Sequence, residues 1–173
     1  MLILDQRLFF WIHSFAGKSR LLDFLGIFLA DYLGYFLIAA VIILVFRFFD
    51  DWKKRWHYFS LALLSAILSR GIFTELIRFF YYRPRPFLVL NFTPLIVEMN
   101  EGAFPSGHMS FYLALILPVF LINKRWGWRL TAGVLLMGLA RVFIGVHWPA
   151  DILGGIVTAL VSFYLVKKYL PSL

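Results

Sequence analysis

A chain of 173 residues that is 62% hydrophobic and only 15% charged carries more apolar surface than a globule of its size can bury, since soluble domains hold about 25% charged residues. Composition therefore excludes an ordinary soluble domain and assigns that surface to a bilayer, and the lack of cysteine excludes a disulfide framework, a thiolate zinc site and a cysteine nucleophile. The net charge of +8 would point to nucleic acid in a soluble protein, but in a membrane protein Lys and Arg collect in cytoplasmic loops, and no nucleic-acid partner is expected.

The first 16 residues are apolar and aromatic but too short to cross a bilayer. Asp5 and Arg7 interrupt the run and no small-residue cleavage site follows, so it reads as an interfacial helix rather than a removable signal. Five spans are expected after it, near 21–46, 58–77, 108–122, 130–146 and 149–166, the third being short for a full crossing. A sixth, shorter span stays open. The expected fold is all-α: one polytopic membrane helix bundle over residues 1–173.

Arg47, Lys53, Lys54 and Arg55 lie between the first two spans. Lys124, Arg125 and Arg129 lie between the third and fourth, and Lys167 and Lys168 follow the fifth. With an odd number of spans these clusters share one side, which the positive-inside bias assigns to the cytoplasm. Inside the spans, Asp31 and Arg70 fall at similar depth and are expected to pair with each other, because ionisable groups in a membrane find partners. His13 and His57 sit near interfaces, where no role is assigned.

The opposite side should be poor in positive charge, yet Arg78, Arg83, Arg85 and Arg141 all approach it. Converging arginines make an anion site, and phosphate is the anion guanidinium suits best. Three segments meet there. Arg78 to Pro86 closes the second span, with Pro84 and Pro86 holding the chain extended. Pro105-Ser106-Gly107-His108 opens the third; Ser106 is a good N-cap, and the positive end of that helix points at the arginines. Arg141 to Asp151 joins the last two spans. Asp151 suits a first helical turn, and four residues from His147 it also suits holding one ring nitrogen as N–H, leaving the other nucleophilic. The long connection 87–105, which includes Glu98 and Glu101, reads as a membrane-hugging lid or a plain connector. Two histidines, a carboxylate, arginines and a helix N-terminus on one side of a membrane describe a phosphoryl-transfer site.

These segments resemble the three signature motifs of the type 2 phosphatidic acid phosphatase (lipid phosphate phosphatase) superfamily. The family's Lys, six residues, Arg-Pro is here Arg78, six residues, Arg85-Pro86. Pro-Ser-Gly-His stands intact at 105–108. The family's Ser-Arg, five residues, His, three residues, Asp is here Arg141, His147 and Asp151, with Ala140 in place of Ser. The resemblance covers roughly residues 70 to 155. It implies an integral-membrane lipid phosphatase in which His147 attacks phosphorus and forms a phosphohistidine, Asp151 balances its charge, and His108 protonates the leaving oxygen and then activates water. It implies further that Arg78, Arg85, Ser106, Gly107 and Arg141 bind the phosphate, that no metal or other cofactor is needed, and that the site faces the periplasm or exterior of a bacterial inner (cytoplasmic) membrane. The expected partners are the bilayer and a lipid phosphate: undecaprenyl diphosphate first, with lipid A 1-phosphate, phosphatidylglycerophosphate and phosphatidic acid as rivals. No protein partner is read from the sequence. A lipid phosphotransferase and a non-enzymatic anion channel or carrier are the alternatives.

Overall fold

The computed structural model describes residues 3–97 and 102–171; Glu98 and Glu101 of the long connection lie outside them. Among these described residues seven helical segments follow one another. They are α1 (Ile3–His13), α2 (Arg20–Phe48), α3 (Trp52–Phe80), the short α4 (Pro86–Leu90), α5 (Gly107–Ile122), α6 (Lys124–Phe143) and α7 (Pro149–Tyr169). The helices α2, α3 and α7 are long and apolar enough to cross a membrane. The helices α5 and α6 stand where the third and fourth spans are expected. The former is shorter, and the backbone loosens at Leu117 and Pro118, where proline removes an amide from the ladder. The latter begins on Asn123, whose side chain accepts the Trp126 amide, and carries Lys124, Arg125 and Arg129 in its first turns and Arg141 in its last.

The helix α5 is the centre of the bundle: α2, α3, α6 and α7 all pack on it. Seven of its first ten residues, from Gly107 to Ile116, are buried, the pattern of a helix apolar all round and enclosed by others. Leu113, Ala114 and Ile116 meet Leu37 and Val41 of α2, Val134 and Met137 of α6 and Ala159 of α7 in one cluster. Small residues face α5 where the backbones approach most closely, as they do between membrane helices. At Gly155 of α7 an added Cβ would lie 2.5 Å from Met109 Cβ and 2.8 Å from the Ser106 carbonyl oxygen. Gly155→Ala is therefore expected to cost about 1–3 kcal/mol through overpacking, read as a lower melting temperature of the detergent-purified protein. An unchanged melting temperature would show that α7 has room to retreat. Beside this contact, the Ser110 hydroxyl reaches the Ser106 carbonyl (2.9 Å), Thr158 of α7 (2.8 Å) and Thr74 of α3 (3.0 Å). One polar knot thus ties three helices just beneath the end where the motifs gather.

The helix α1 lies across that end rather than through the bundle. Its Asp5 accepts the Ala150 amide at the start of α7, and its His13 Nδ1 sits 2.7 Å from the Phe143 carbonyl at the end of α6. Both of its ends therefore touch the same face. Phe9 is fully buried between them against Trp148, with ring centroids 4.9 Å apart.

Candidate active site

The segment that delivers His147 follows from how α6 ends. Gly145 takes φ +90°, a conformation side chains resist and glycine adopts freely. The Val146 amide then donates to the Arg141 carbonyl (3.2 Å) and the Gly145 amide to the Val142 carbonyl (3.1 Å), the paired bonds of a Schellman stop. Pro149 restarts the chain as the first residue of α7 with Trp148 as N-cap. His147 is held in this tight reversal, 1% exposed.

Asp151, fully buried in the first turn of α7, serves both roles its position allows. Its Oδ2 accepts the Trp148 amide at 2.7 Å and lies 3.4 Å from His147 Nδ1. Its Oδ1 accepts Arg83 Nη1 at 2.6 Å, and its backbone carbonyl accepts the Ser106 amide at 3.0 Å, which brings the Pro-Ser-Gly-His turn against α7. With the proton on Nδ1 facing Asp151, Nε2 is the nitrogen with its lone pair available.

His108 opens α5 beside Arg141, whose Nη1 is 3.4 Å from His108 Nε2 and 3.1 Å from Asp31 Oδ1. Arg141 is 1% exposed and Arg85 2%; Arg85 Nη1 points at the Val146 carbonyl, 3.4 Å away, next to His147. Arg78 Nη2 donates to the Pro105 carbonyl at 3.2 Å. The Ser106 hydroxyl is buried and has no partner among the described residues, and a buried polar group of this kind is costly unless a ligand satisfies it. Gly107 matters by close approach: the Arg70 side chain lies against it, so that an added Cβ would meet Arg70 Cδ at 2.8 Å. All eight residues singled out in the sequence thus fall in one region, bounded by the ends of α3 and α6 and the starts of α5 and α7.

Four residues of this region, Asp5, Asp31, Arg70 and Glu75, were not read from the sequence as part of it, and Arg83 was read only as one of the converging arginines. Asp31 and Arg70, expected to meet each other, have partners at the site: Asp31 takes Arg141, and Arg70 takes Glu75, which also lies 3.6 Å from Arg78. Arg83 lies between two carboxylates, Asp151 and Asp5 of α1. The available signal was a charged residue inside an apolar run, which has to be paired if it is buried; spacing alone does not say with what. The cluster is therefore less bare than converging arginines suggest. Asp5, Asp31, Glu75 and Asp151 hold four of its guanidinium groups in fixed orientations before any anion arrives, which reduces the reorganisation a phosphate would require.

Comparison with known proteins gives an independent line. The family model described as the PAP2 superfamily matches residues 59–172. Undecaprenyl-diphosphatase BcrC of Bacillus subtilis (strain 168) is 27% identical over 166 residues, covering 96% of this chain and 84% of that protein. Phosphatidylglycerophosphatase B of the same organism is 30% identical over 146 residues, covering 78% and 68%. Among solved structures, Aquifex aeolicus LpxE superposes with a TM-score of 0.78 at 24% identity, covering 97% of each chain.

Proposed function

The chain belongs to the PAP2 superfamily, and from that premise we propose that its buried cluster cleaves a lipid phosphate through a phosphohistidine on His147. The protein is a membrane lipid phosphatase; the residue roles, the substrate and the sidedness are our reading. The observation that carries it is the convergence of His147, its carboxylate Asp151 and His108 with the guanidinium groups of Arg78, Arg85 and Arg141 at one end of the bundle.

The lipid's phosphate lies between Arg78, Arg85 and Arg141, with the Ser106 hydroxyl and the Gly107 amide at the positive end of α5 as further donors. His147 Nε2 attacks phosphorus. The N–P bond forms as the P–O bond to the lipid breaks, and the leaving oxygen takes a proton from His108. Asp151 faces the imidazolium charge that develops on His147. His108, now neutral, takes a proton from water, whose oxygen attacks phosphorus; the N–P bond breaks and inorganic phosphate leaves. Arg141 beside His108 opposes the positive charge His108 carries as an acid, and the bound dianion offsets that opposition. The arginines neutralise the equatorial oxygens in both half-reactions.

Residues 1–173 act in this reading as one phosphatase domain, and the chemistry proceeds without a metal. In this reading the positive charge phosphoryl transfer needs is supplied by arginine. We place the site on the periplasmic or external face of the inner membrane. The basic clusters at 47–55, 124–129 and 167–168 lie toward the opposite end of the bundle, the side the positive-inside bias makes cytoplasmic. Undecaprenyl diphosphate is the first candidate substrate, supported by the near full-length similarity to an undecaprenyl-diphosphatase; phosphatidylglycerophosphate, lipid A 1-phosphate and phosphatidic acid are its rivals.

The test is phosphate release by the detergent-purified protein in EDTA, with these four lipids offered in parallel. Release that survives EDTA is expected, with the diphosphate turned over fastest. Release that stops in EDTA and returns with a divalent cation would overturn the metal-free mechanism, and no release from any lipid would overturn hydrolysis itself.

A further inference from the structure

Asp5 is a buried carboxylate that the mechanism above leaves without a task. It lies on α1, 54 residues before the first residue the family model matches, and it is 5% exposed. Both its oxygens are committed: Oδ2 accepts Arg83 Nη2, and Oδ1 accepts the Ala150 amide at 2.8 Å. The other arm of the same guanidinium, Nη1, donates to Asp151 Oδ1 at 2.6 Å, and Asp151 Oδ2 faces His147 Nδ1. Arg83 is fixed in other ways as well. Its carbonyl accepts the Ala103 amide at 2.8 Å, and its guanidinium lies over the Trp148 ring, 5.6 Å from the centroid.

We propose that Asp5 is a positioning residue for the nucleophile, acting through Arg83 and the first turn of α7 to hold the Asp151 carboxylate in register with His147. This rests on the reading of His147 as nucleophile and Asp151 as its carboxylate. The physical case is one of competition. A guanidinium offers two parallel N–H groups that a carboxylate prefers to take together. Asp5 occupies one arm of Arg83, so Asp151 receives the other arm on a single oxygen and keeps Oδ2 for the Trp148 amide and His147. Without the Asp5 charge, Arg83 is a nearly buried cation with one carboxylate left, and the bidentate pairing draws Oδ2 away from the ring. The His147–Asp151 separation of 3.4 Å is already at the outer edge of hydrogen bonding, so a shift of a few tenths of an ångström decides whether the contact exists. The Ala150 bond adds a second hold, since it fixes the backbone turn on which Asp151 sits.

The experiment compares Asp5→Asn, Asp5→Glu, Arg83→Met and the double variant Asp5→Asn/Arg83→Met with the wild type. Turnover and KM are measured on whichever lipid the wild type hydrolyses, melting temperature in the same detergent, and Asp151→Asn is run in parallel. Asp5→Asn is expected to lower kcat by roughly 10–100-fold with KM changed less than about twofold, the pattern of lost transition-state alignment rather than lost binding. Asp5→Glu keeps the charge but displaces it by a methylene, and is expected to lower kcat with little change in melting temperature. The double variant is expected to be no worse than Asp5→Asn alone, because with Arg83 gone nothing draws Asp151 aside. Losses that multiply in the double variant, or losses that follow melting temperature across the series, would reduce Asp5 to a packing contact of α1. Wild-type kcat in Asp5→Asn and Asp5→Glu would overturn the proposal outright. If Asp151→Asn itself turns over like the wild type, the reading of the nucleophile fails; if it is impaired while the Asp5 variants are not, only the role of Asp5 fails.

Discussion

Replacing His147 by alanine lowers phosphate release by about 10⁴-fold or more, the scale seen when a covalent nucleophile is deleted and only transition-state stabilisation remains. The side chain is 1% exposed and sits in a reversal whose backbone bonds are made by its neighbours, so the turn does not need the imidazole to form. The variant should melt close to the wild type, and the measurement is steady-state release beside a thermal shift in one detergent. Quenching the wild type in alkaline denaturant during turnover should trap a base-stable, acid-labile phosphoprotein that His147→Ala does not form. A variant that retains a tenth of wild-type turnover would remove His147 from the role of nucleophile.

Asp151→Asn is expected to be almost as damaging to turnover, about 10³–10⁴-fold, because an amide that cannot carry negative charge leaves the imidazolium uncompensated and turns the ring toward the wrong tautomer. Unlike the histidine change, it should also destabilise. Asp151 accepts from the Trp148 amide, Arg83 and the His147 side of the site at once, and asparagine offers a single accepting oxygen to these donors. Breaking a buried charge pair by changing one partner costs about 3–5 kcal/mol. A clear drop in melting temperature together with the rate loss is therefore the expected signature. Rate loss with unchanged melting would mean that the carboxylate acts on the ring alone and that the first turn of α7 is held by other bonds.

The spans were readable because apolar runs of bilayer length have few other uses, and the order of basic loops suggested their direction. The three motif segments were readable because proline, glycine and capping residues mark where helices stop and start, and the proposed site stands at those junctions. The pairings were not. Asp5 and Arg83 are 78 residues apart, and Asp31 and Arg141 are 110 apart; nothing local in the sequence distinguishes these partners from the others available. Equal depth on adjacent spans made Asp31 and Arg70 candidates for each other, but it did not reveal Arg141 and Glu75 as partners; the rotation of each helix about its axis decides which neighbours an ionisable side chain meets. Similarly, the first 16 residues were read by their shortness and apolar, aromatic character as lying at the interface. That they carry a carboxylate into the arginine cluster depends on the order in which helix ends meet, and hydropathy does not encode it.

That rotation is set by a feature of the two longest helices. In α2 the stretch Phe28–Tyr32, and in α3 the stretch Ile67–Thr74, are wound as π-helix within otherwise α-helical rods. A π turn amounts to one surplus residue looped into an α-helix, and each residue of an α-helix advances the azimuth by about 100°. The surplus residue re-phases the helix: the stripe facing lipid below the turn and the stripe facing the bundle above it no longer lie on one line. Asp31 and Arg70 sit within these turns. Winding either stretch as plain α-helix would leave it just as apolar, yet swing every side chain on one side of it by about a quarter-turn. The phase of these rods is thus a quantity separate from their hydrophobicity.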